Sequence, residues 1–352
     1  MPLHSTPLLL EKKLKFKEKV EEIRSLFKQL EADNLPKDDL YHLSVFFNSY
    51  LKVVQSQGKQ DLKPLQTFFN FLQQIQIVFQ TPFAFPVFHK KITEPFNFYQ
   101  LGLDFIEPLV DFKNSTLTGT DQLKKITSYL ENGDNVVFLA NHQVEADPQI
   151  LGLFFKKDFP VIADKLIFVA GSKVTSDLLA IPFSMGCNLL CIYSKKYIDI
   201  PPEKKEEKQE HNKKTMHAMV DLFAQGGQAI YVAPSGGRDR RNSAGEVVVS
   251  DFDPSSVEMF FLMGKKSKKK THFFPMALST FHLLPPPESE DHELGEERVT
   301  QGGPVHIAIL PELDEAALIQ QHKGLPKKLL RQKKTDLIHS KIVDIYKQFP
   351  NK

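Results

Sequence analysis

The sequence predicts a mixed α/β protein: an N-terminal helical bundle over residues 1–80, then a larger α/β domain over residues 81–352 with a mainly parallel mixed sheet. Three observations predict this. Residues 8–79 place apolar side chains at helical spacing and show no strand-like alternation. From residue 136 onward, short apolar runs alternate with amphipathic stretches, as strands alternate with crossover helices in parallel sheets. Between the two lies Thr81-Pro82-Phe83-Ala84-Phe85-Pro86, where proline blocks continuation of a helix and marks a linker.

The elements follow in order. Leu14, Val20, Ile23, Phe27 and Leu30 line one face of a first helix. Pro36 opens a second, carrying Leu40, Leu43, Phe46, Phe47, Leu51 and Val54, and Gly58 breaks it. A third starts near Asp61 and carries Leu65, Phe68, Phe69, Leu72, Ile75 and Phe79. Short connections between amphipathic helices predict an antiparallel bundle. With no titratable cluster of its own, it reads as a docking or stabilising unit. Helices are expected at Phe96–Asp111 and Asp121–Leu130. The expected strands are Val136–Ala140, Ile167–Ala170, Leu189–Tyr193, Ala229–Val232, Phe273–Leu278 and Val305–Leu310. The expected helices among them are Ile150–Phe155, Ser176–Leu179, Lys213–Ala224 and Ser255–Met263, with Leu325–Phe349 closing the chain. Residues 201–210 and 285–297 are too charged for a core; the first reads as a solvated loop or the start of a helix, the second as a surface loop.

Composition excludes several classes. Of 352 residues, 41% are hydrophobic and 25% charged, a globular balance. A net charge of +2 favours no class of partner, so local clusters must carry that argument. Lys265-Lys266-Ser267-Lys268-Lys269-Lys270 is the one dense basic run. It reads as a solvated helix end, or as a landing site for an acidic partner. No nucleic-acid-binding motif accompanies it, so no nucleic acid is expected. No run is long and apolar enough to span a membrane, which leaves transient association with a membrane surface as the most to be expected. Cys187 and Cys191 are too few for a disulfide framework and read as small buried residues of a reducing compartment. The first residues lack the order of a signal peptide. Together these point to a cytoplasmic protein.

Two stretches carry the chemistry. Asn141-His142-Gln143-Val144-Glu145-Ala146-Asp147-Pro148 follows a strand and precedes a helix, the corner where open parallel sheets place ligands. Asp147 suits the N-cap and Pro148 the first helical position. From there the carboxylate can turn back to one ring nitrogen of His142, leaving the other as a proton acceptor. Alone, the pair is more often a chance spacing, with Asp147 no more than a helix cap. The second stretch, Tyr231-Val232-Ala233-Pro234-Ser235-Gly236-Gly237-Arg238-Asp239-Arg240, also follows a strand. Its glycines allow close backbone approach, and Arg238 and Arg240, two apart in an extended loop, can share one side and bind phosphate. Ser235 is no nucleophile of the elbow type, because Ala233 stands at the first glycine position. No Gly-Lys-Ser/Thr follows, so this is not a Walker loop. Lys195 and Lys196 follow a third strand. A proton acceptor beside cations fits a substrate with both a hydroxyl and a phosphate.

The runs at 141–148 and 234–240, with Phe274-Pro275-Met276-Ala277-Leu278, make the chain similar to the soluble glycerol-3-phosphate acyltransferases of the plastid type, also found in some chlamydia-related bacteria. The resemblance spans most of the chain, including a helical N-terminal domain. It implies transfer of a fatty acyl group from acyl carrier protein, or acyl-CoA, to the sn-1 hydroxyl of glycerol 3-phosphate, without cofactor or metal. It implies His142 as general base, Asp147 as its orienting partner, and Lys196, Arg238 and Arg240 as phosphate-binding residues. Tyr197 stands where the plant enzymes have a histidine of that pocket; a phenol donates a hydrogen bond but brings no charge at neutral pH. Val144 replaces a threonine common in the plant motif. For a mature plant form, the plastid stroma replaces the cytoplasm as the expected compartment. The competing readings are a lysophosphatidic acid acyltransferase, a non-catalytic lipid or carrier-protein binding module, and a metal hydrolase using His142, Glu145 and Asp147. The last lacks a second nearby histidine and a His-Glu-x-x-His helix.

Overall fold

Apolar stripes at helical spacing fold the N-terminal region into three helices: α1 (Thr6–Ala32), α2 (Lys37–Ser56) and α3 (Lys63–Gln80). The computed structural model describes residues 6–57, 61–194, 198–287, 296–321 and 323–350. Pro36 precedes α2 and Pro64 stands in the first turn of α3, where a missing N–H costs nothing. After the proline-rich 81–86 come strand β1 (Phe88–His89), helix α4 (Phe98–Ile106), a 3-10 turn at Glu107–Leu109, strand β2 (Thr116–Thr118) and helix α5 (Thr120–Glu131). The core α/β run is β3 (Asn135–Ala140), α6 (Asp147–Phe155), α7 (Pro160–Lys165) and β4 (Leu166–Gly171). It continues through α8 (Lys173–Ser176), α9 (Ile181–Met185), β5 (Asn188–Ile192), α10 (Lys205–Gln225) and β6 (Ala229–Val232). A short hairpin β7 (Arg240–Arg241) and β8 (Val247–Val248) leads to α11 (Pro254–Lys266) and β9 (Thr271–Ser279). Strand β10 (His306–Ile309), α12 (Glu315–Gln321) and α13 (Lys327–Tyr346) complete the order.

Eight strands form one sheet in the order β1-β5-β4-β6-β3-β9-β10-β2. β5, β4, β6, β3 and β9 are mutually parallel, while β1 and β10 join antiparallel. β3 lies between β6 and β9, and all six of its residues are buried. Its side chains alternate between two cores. Val136, Phe138 and Ala140 join the core shared with α4, α6 and the bundle; Val137 and Leu139 join the core under α10, α11 and α13. This is the mainly parallel mixed sheet expected.

The bundle packs directly on the α/β body. Phe105 of α4 sits 1% exposed among Phe46, Tyr50, Phe68 and Phe71 of the bundle and Phe183 of α9, with ring centroids 4.5–5.6 Å away. One apolar core therefore runs from α1 to the sheet.

Several elements depart from the sequence reading. The helix expected at Ser176–Leu179 is instead two short helices around a turn, because Asp177 accepts the Leu179 N–H and Pro182 restarts the chain as α9. Helix α10 starts at Lys205, well before Lys213; Lys208 of its first turns is buried and donates to the Ile200 carbonyl. Asp147 is not an N-cap: Ala146 holds that position, and Asp147 is the first helical residue. The edge strands β1 and β2, the β7–β8 hairpin, α7 and α12 escaped the sequence reading, being two to seven residues long. The Lys265–Lys270 run stands before β9, level with Asn135 at the start of β3. It is thus at the opposite sheet edge from His142, roughly 20 Å away at about 3.3 Å per residue, and not at the mouth of that site.

Replacing Phe105 with alanine should cost about 3–5 kcal/mol of unfolding free energy, read by urea denaturation. A cost near zero would mean that the bundle and the sheet do not share a core.

Candidate active site

All five parallel strands end on one edge of the sheet, so the residues that follow them meet there. After β3 come His142, Glu145 and Asp147; after β4, Lys173 and Asp177; after β6, Arg238 and Asp239; after β9, Thr280. β5 ends on the same edge.

Asp147 is fully buried and its carboxylate collects four donors. The His142 Nδ1 donates to Oδ2 at 2.7 Å, as do the backbone N–H groups of Gln143 at 2.9 Å and Val144 at 3.3 Å; the Thr280 hydroxyl donates to Oδ1 at 2.7 Å. The carboxylate thus turns back into the loop, as expected, rather than forward to cap α6. With Nδ1 committed, Nε2 of His142 has no hydrogen-bond partner among the described residues, and the side chain keeps 28% exposure. A neutral imidazole held this way presents Nε2 as a proton acceptor.

A second buried carboxylate joins the two motifs. Asp239 accepts from Asn141 Nδ2 at 2.8 Å, Gln143 Nε2 at 3.1 Å and the Ser250 N–H at 2.9 Å, while its own N–H donates to the His142 carbonyl at 2.6 Å. Burial pushes its pKa up, against these three donors. Asn141 also bonds both the N–H and the carbonyl of Leu278, Gln143 accepts the N–H groups of Thr280 and Phe281, and the Tyr231 hydroxyl donates to the Asn141 carbonyl. Asn141, Gln143 and Asp239 are each 0% exposed. They lock the loops after β3, β6 and β9 into one body.

Near the loop of His142, ion pairs among the described residues link Arg298, Arg238, Lys173, Glu145, Asp177 and Glu296. Arg298, 4% exposed, donates to Glu145 at 2.9 Å and pairs with Asp177 at 3.2 Å. Arg238, 13% exposed, donates to Glu296 at 2.7 Å and stands 4.0 Å from Glu145. Lys173 donates to the same Glu296 oxygen, Oε2, at 2.5 Å. Burial disfavours the Glu296 anion, yet Arg238 and Lys173 outweigh it and hold its pKa at about 2. Burial likewise opposes the Arg298 charge, and Glu145 and Asp177 more than restore it.

The bundle braces this wall. The Ser49 hydroxyl of α2 accepts the Thr300 N–H at 3.1 Å, and the Tyr41 hydroxyl donates to Glu297 at 3.2 Å. Arg240 opens β7 and is half-buried. Lys196 and Tyr197 fall outside the described residues. The Ser235 hydroxyl donates to the Gly237 carbonyl, and Gly236 takes a left-handed φ of 69° in the open loop. Cys187 and Cys191 are buried, and burial pushes their thiols up to about 12 and about 11, so neither supplies a thiolate. Among the described residues no three His, Cys, Asp or Glu side chains gather as a metal site. Glu145, which the metal reading required, is bound to Arg298 instead.

Sequence reasoning missed Asp239, Thr280, Lys173, Asp177, Glu296 and Arg298. Lys173 and Thr280 stood within two residues of a strand end and could have been found by that rule. Glu296 lay in a stretch read as solvated surface and Arg298 just beyond it, and no local signal marked them.

A histidine oriented by a buried aspartate thus lies at the C-terminal edge of a mainly parallel sheet, and the family model described as Acyltransferase matches residues 116–279, which include both. Among curated proteins, the chain is 38% identical over 300 residues to a chloroplastic glycerol-3-phosphate acyltransferase of Cucurbita moschata, covering 84% of this chain and 65% of that protein. It is 36% identical to a second from the same organism, with 84% and 67% covered, and 36% identical to that of Spinacia oleracea, with 83% and 62% covered. The chain belongs to the glycerol-3-phosphate acyltransferase family. It spans slightly less than two thirds of the length of the first and third of these relatives.

The pKa of Glu296 lies below the ordinary carboxylate value of 4.5, so its ion pairs stabilise the fold fully above pH 4.5 and fail as pH falls toward 2. Over that window the wild type should lose about 3 kcal/mol more stability than Glu296→Gln, measured by denaturation at stepped pH. Parallel curves for the two proteins would refute the pairing.

Proposed function

We propose that the chain transfers a fatty acyl group from a carrier thioester to the sn-1 hydroxyl of glycerol 3-phosphate, giving lysophosphatidic acid. The carrier is acyl carrier protein or coenzyme A. The observation that carries this reading is the joining of the His142–Asp147 pair, through Asp239, to the loop that bears Arg238 and Arg240. A base and a cationic loop held in one body suit a small substrate with a hydroxyl at one end and a phosphate at the other. The names of the relatives support the acceptor.

In this reading the phosphate rests on Arg238 and Arg240, with Lys196 and Tyr197 added by the family resemblance. That sets the distal hydroxyl at Nε2 of His142. His142 takes the hydroxyl proton as the oxygen attacks the thioester carbonyl. The tetrahedral intermediate collapses, the C–S bond breaks, and the proton passes from His142 to the departing thiolate. Asp147 holds the ring orientation and stabilises the transient imidazolium. No acyl-enzyme is needed, and the raised thiols of Cys187 and Cys191 suit none.

No helix among the described residues is long and apolar enough to cross a membrane. A small polar acceptor requires none. The relatives are named chloroplastic, which favours the plastid stroma over the cytoplasm as the compartment.

His142→Ala should lower kcat by about 10²–10⁴ with the fold retained, measured with glycerol 3-phosphate and an acyl thioester and checked by circular dichroism. Near-normal turnover would remove histidine as the base. Arg238→Ala should act mainly on the KM for glycerol 3-phosphate; a defect confined to kcat would take Arg238 out of phosphate binding.

A further inference from the structure

Arg238 is not open in this structure. Its guanidinium and the Lys173 ammonium converge on one oxygen of Glu296, at 2.7 and 2.5 Å. Two cations converging on a single anionic oxygen is the geometry by which proteins hold a phosphate oxygen. The charge count sharpens the point. In the ion pairs among the described residues, three carboxylates, Glu145, Asp177 and Glu296, meet three cations, Arg238, Arg298 and Lys173, so the paired charges balance. Cations paired one for one have little surplus charge to offer a dianion, and moving Glu296 aside frees both Lys173 and Arg238. The other two carboxylates are engaged elsewhere: Glu145 and Asp177 are held by Arg298, which is itself buried. Among the described residues, Glu296 is the carboxylate that Lys173 and Arg238 share.

We propose that Glu296 is a built-in competitor for the substrate phosphate: its carboxylate occupies Lys173 and Arg238 in the free protein and is displaced when the phosphate arrives. Lys173, at the end of β4, is thereby a further phosphate-binding residue. The displacement is an exchange of anions. The phosphate takes over both donors, and Glu296 turns its carboxylate off them by side-chain rotation. The inference rests on Arg238 being a phosphate ligand, as in the proposed function. It explains how two partly buried cations are kept paired while the site is empty, since a charge withdrawn from water without a partner is costly. It also sets a threshold, because a neutral polyol cannot evict a carboxylate whereas a phosphate ester can.

The test is titration of the full chain with inorganic phosphate by calorimetry, alongside the KM for glycerol 3-phosphate. Glu296→Gln keeps the size of the side chain and removes its charge. It should tighten phosphate binding by about tenfold and lower the KM in step. Glu296→Asp, one methylene shorter, should shift both in the same direction if the glutamine variant fails to fold. Lys173→Gln should weaken phosphate binding by about tenfold. Unchanged or weaker phosphate binding in the folded Glu296 variants would overturn the competitor role and make Glu296 a clamp that orients Arg238. Unchanged binding in Lys173→Gln would remove Lys173 from the site. Wild-type turnover on glycerol 3-phosphate is measured in parallel. Its absence would sink the acyl-transfer reading, while the phosphate titration would still decide the role of Glu296.

Discussion

The buried carboxylate of Asp147 is the interaction on which the site depends. Four donors from two strand ends converge on it: an imidazole, two backbone N–H groups and a hydroxyl. A carboxylate taken wholly out of water must be paired, and each donor offsets part of that cost. The geometry of the donors then has little freedom. The loop after β3 curls around the carboxylate, and the ring of His142 is held with its other nitrogen outward. The position of Asp147 at the first helical residue, rather than at the cap, is what lets its side chain reach back along the loop.

Asp239 repeats the device one layer away, with a different outcome. Its partners are mainly amide groups, and burial raises its pKa, so it is a weaker anion than Glu296. Its use is mechanical. Asn141 and Gln143 each bond to it and also to the backbone around β9, so three loops share their hydrogen bonds. The residues flanking His142 in the motif therefore have a positional part: they hold the chain that carries the imidazole. This accounts for the motif extending past the His and the Asp to both polar neighbours.

The helical bundle has a physical place in this arrangement. Its aromatic face packs on Phe105 and Phe183, and its second helix meets the segment carrying Glu296 and Arg298 through Ser49 and Tyr41. Read from the sequence it had no chemistry of its own. In the fold it supports one wall of the charged network, and Asp39 of α2 feels the charges of Asp177 and Arg298 there. The lysine run at 265–270 shows the converse. Its charge density stood out in the sequence, yet the sheet direction carries it to the far edge from the histidine.

The sequence by itself determined the layering, the parallel sheet and the pairing of His142 with Asp147. Each rests on short-range periodicity or on a five-residue separation across one turn, and such distances are set locally. The helices of the bundle and most strands were legible because their apolar faces are long. The two-residue strands β1, β7 and β8 were not, since pairing with distant partners alone makes them strands. The two motif loops were recognisable as separate pieces, and their shared use of Asp239 was not. Only the tertiary structure brought Lys173, Glu296 and Arg298 to the site, each from 58 or more residues away from Arg238. It also showed Arg238 already engaged with a carboxylate. The reason is physical: a charge separated along the chain by a strand, a helix and a loop leaves no periodic trace, and its partner is chosen by which strand ends share an edge.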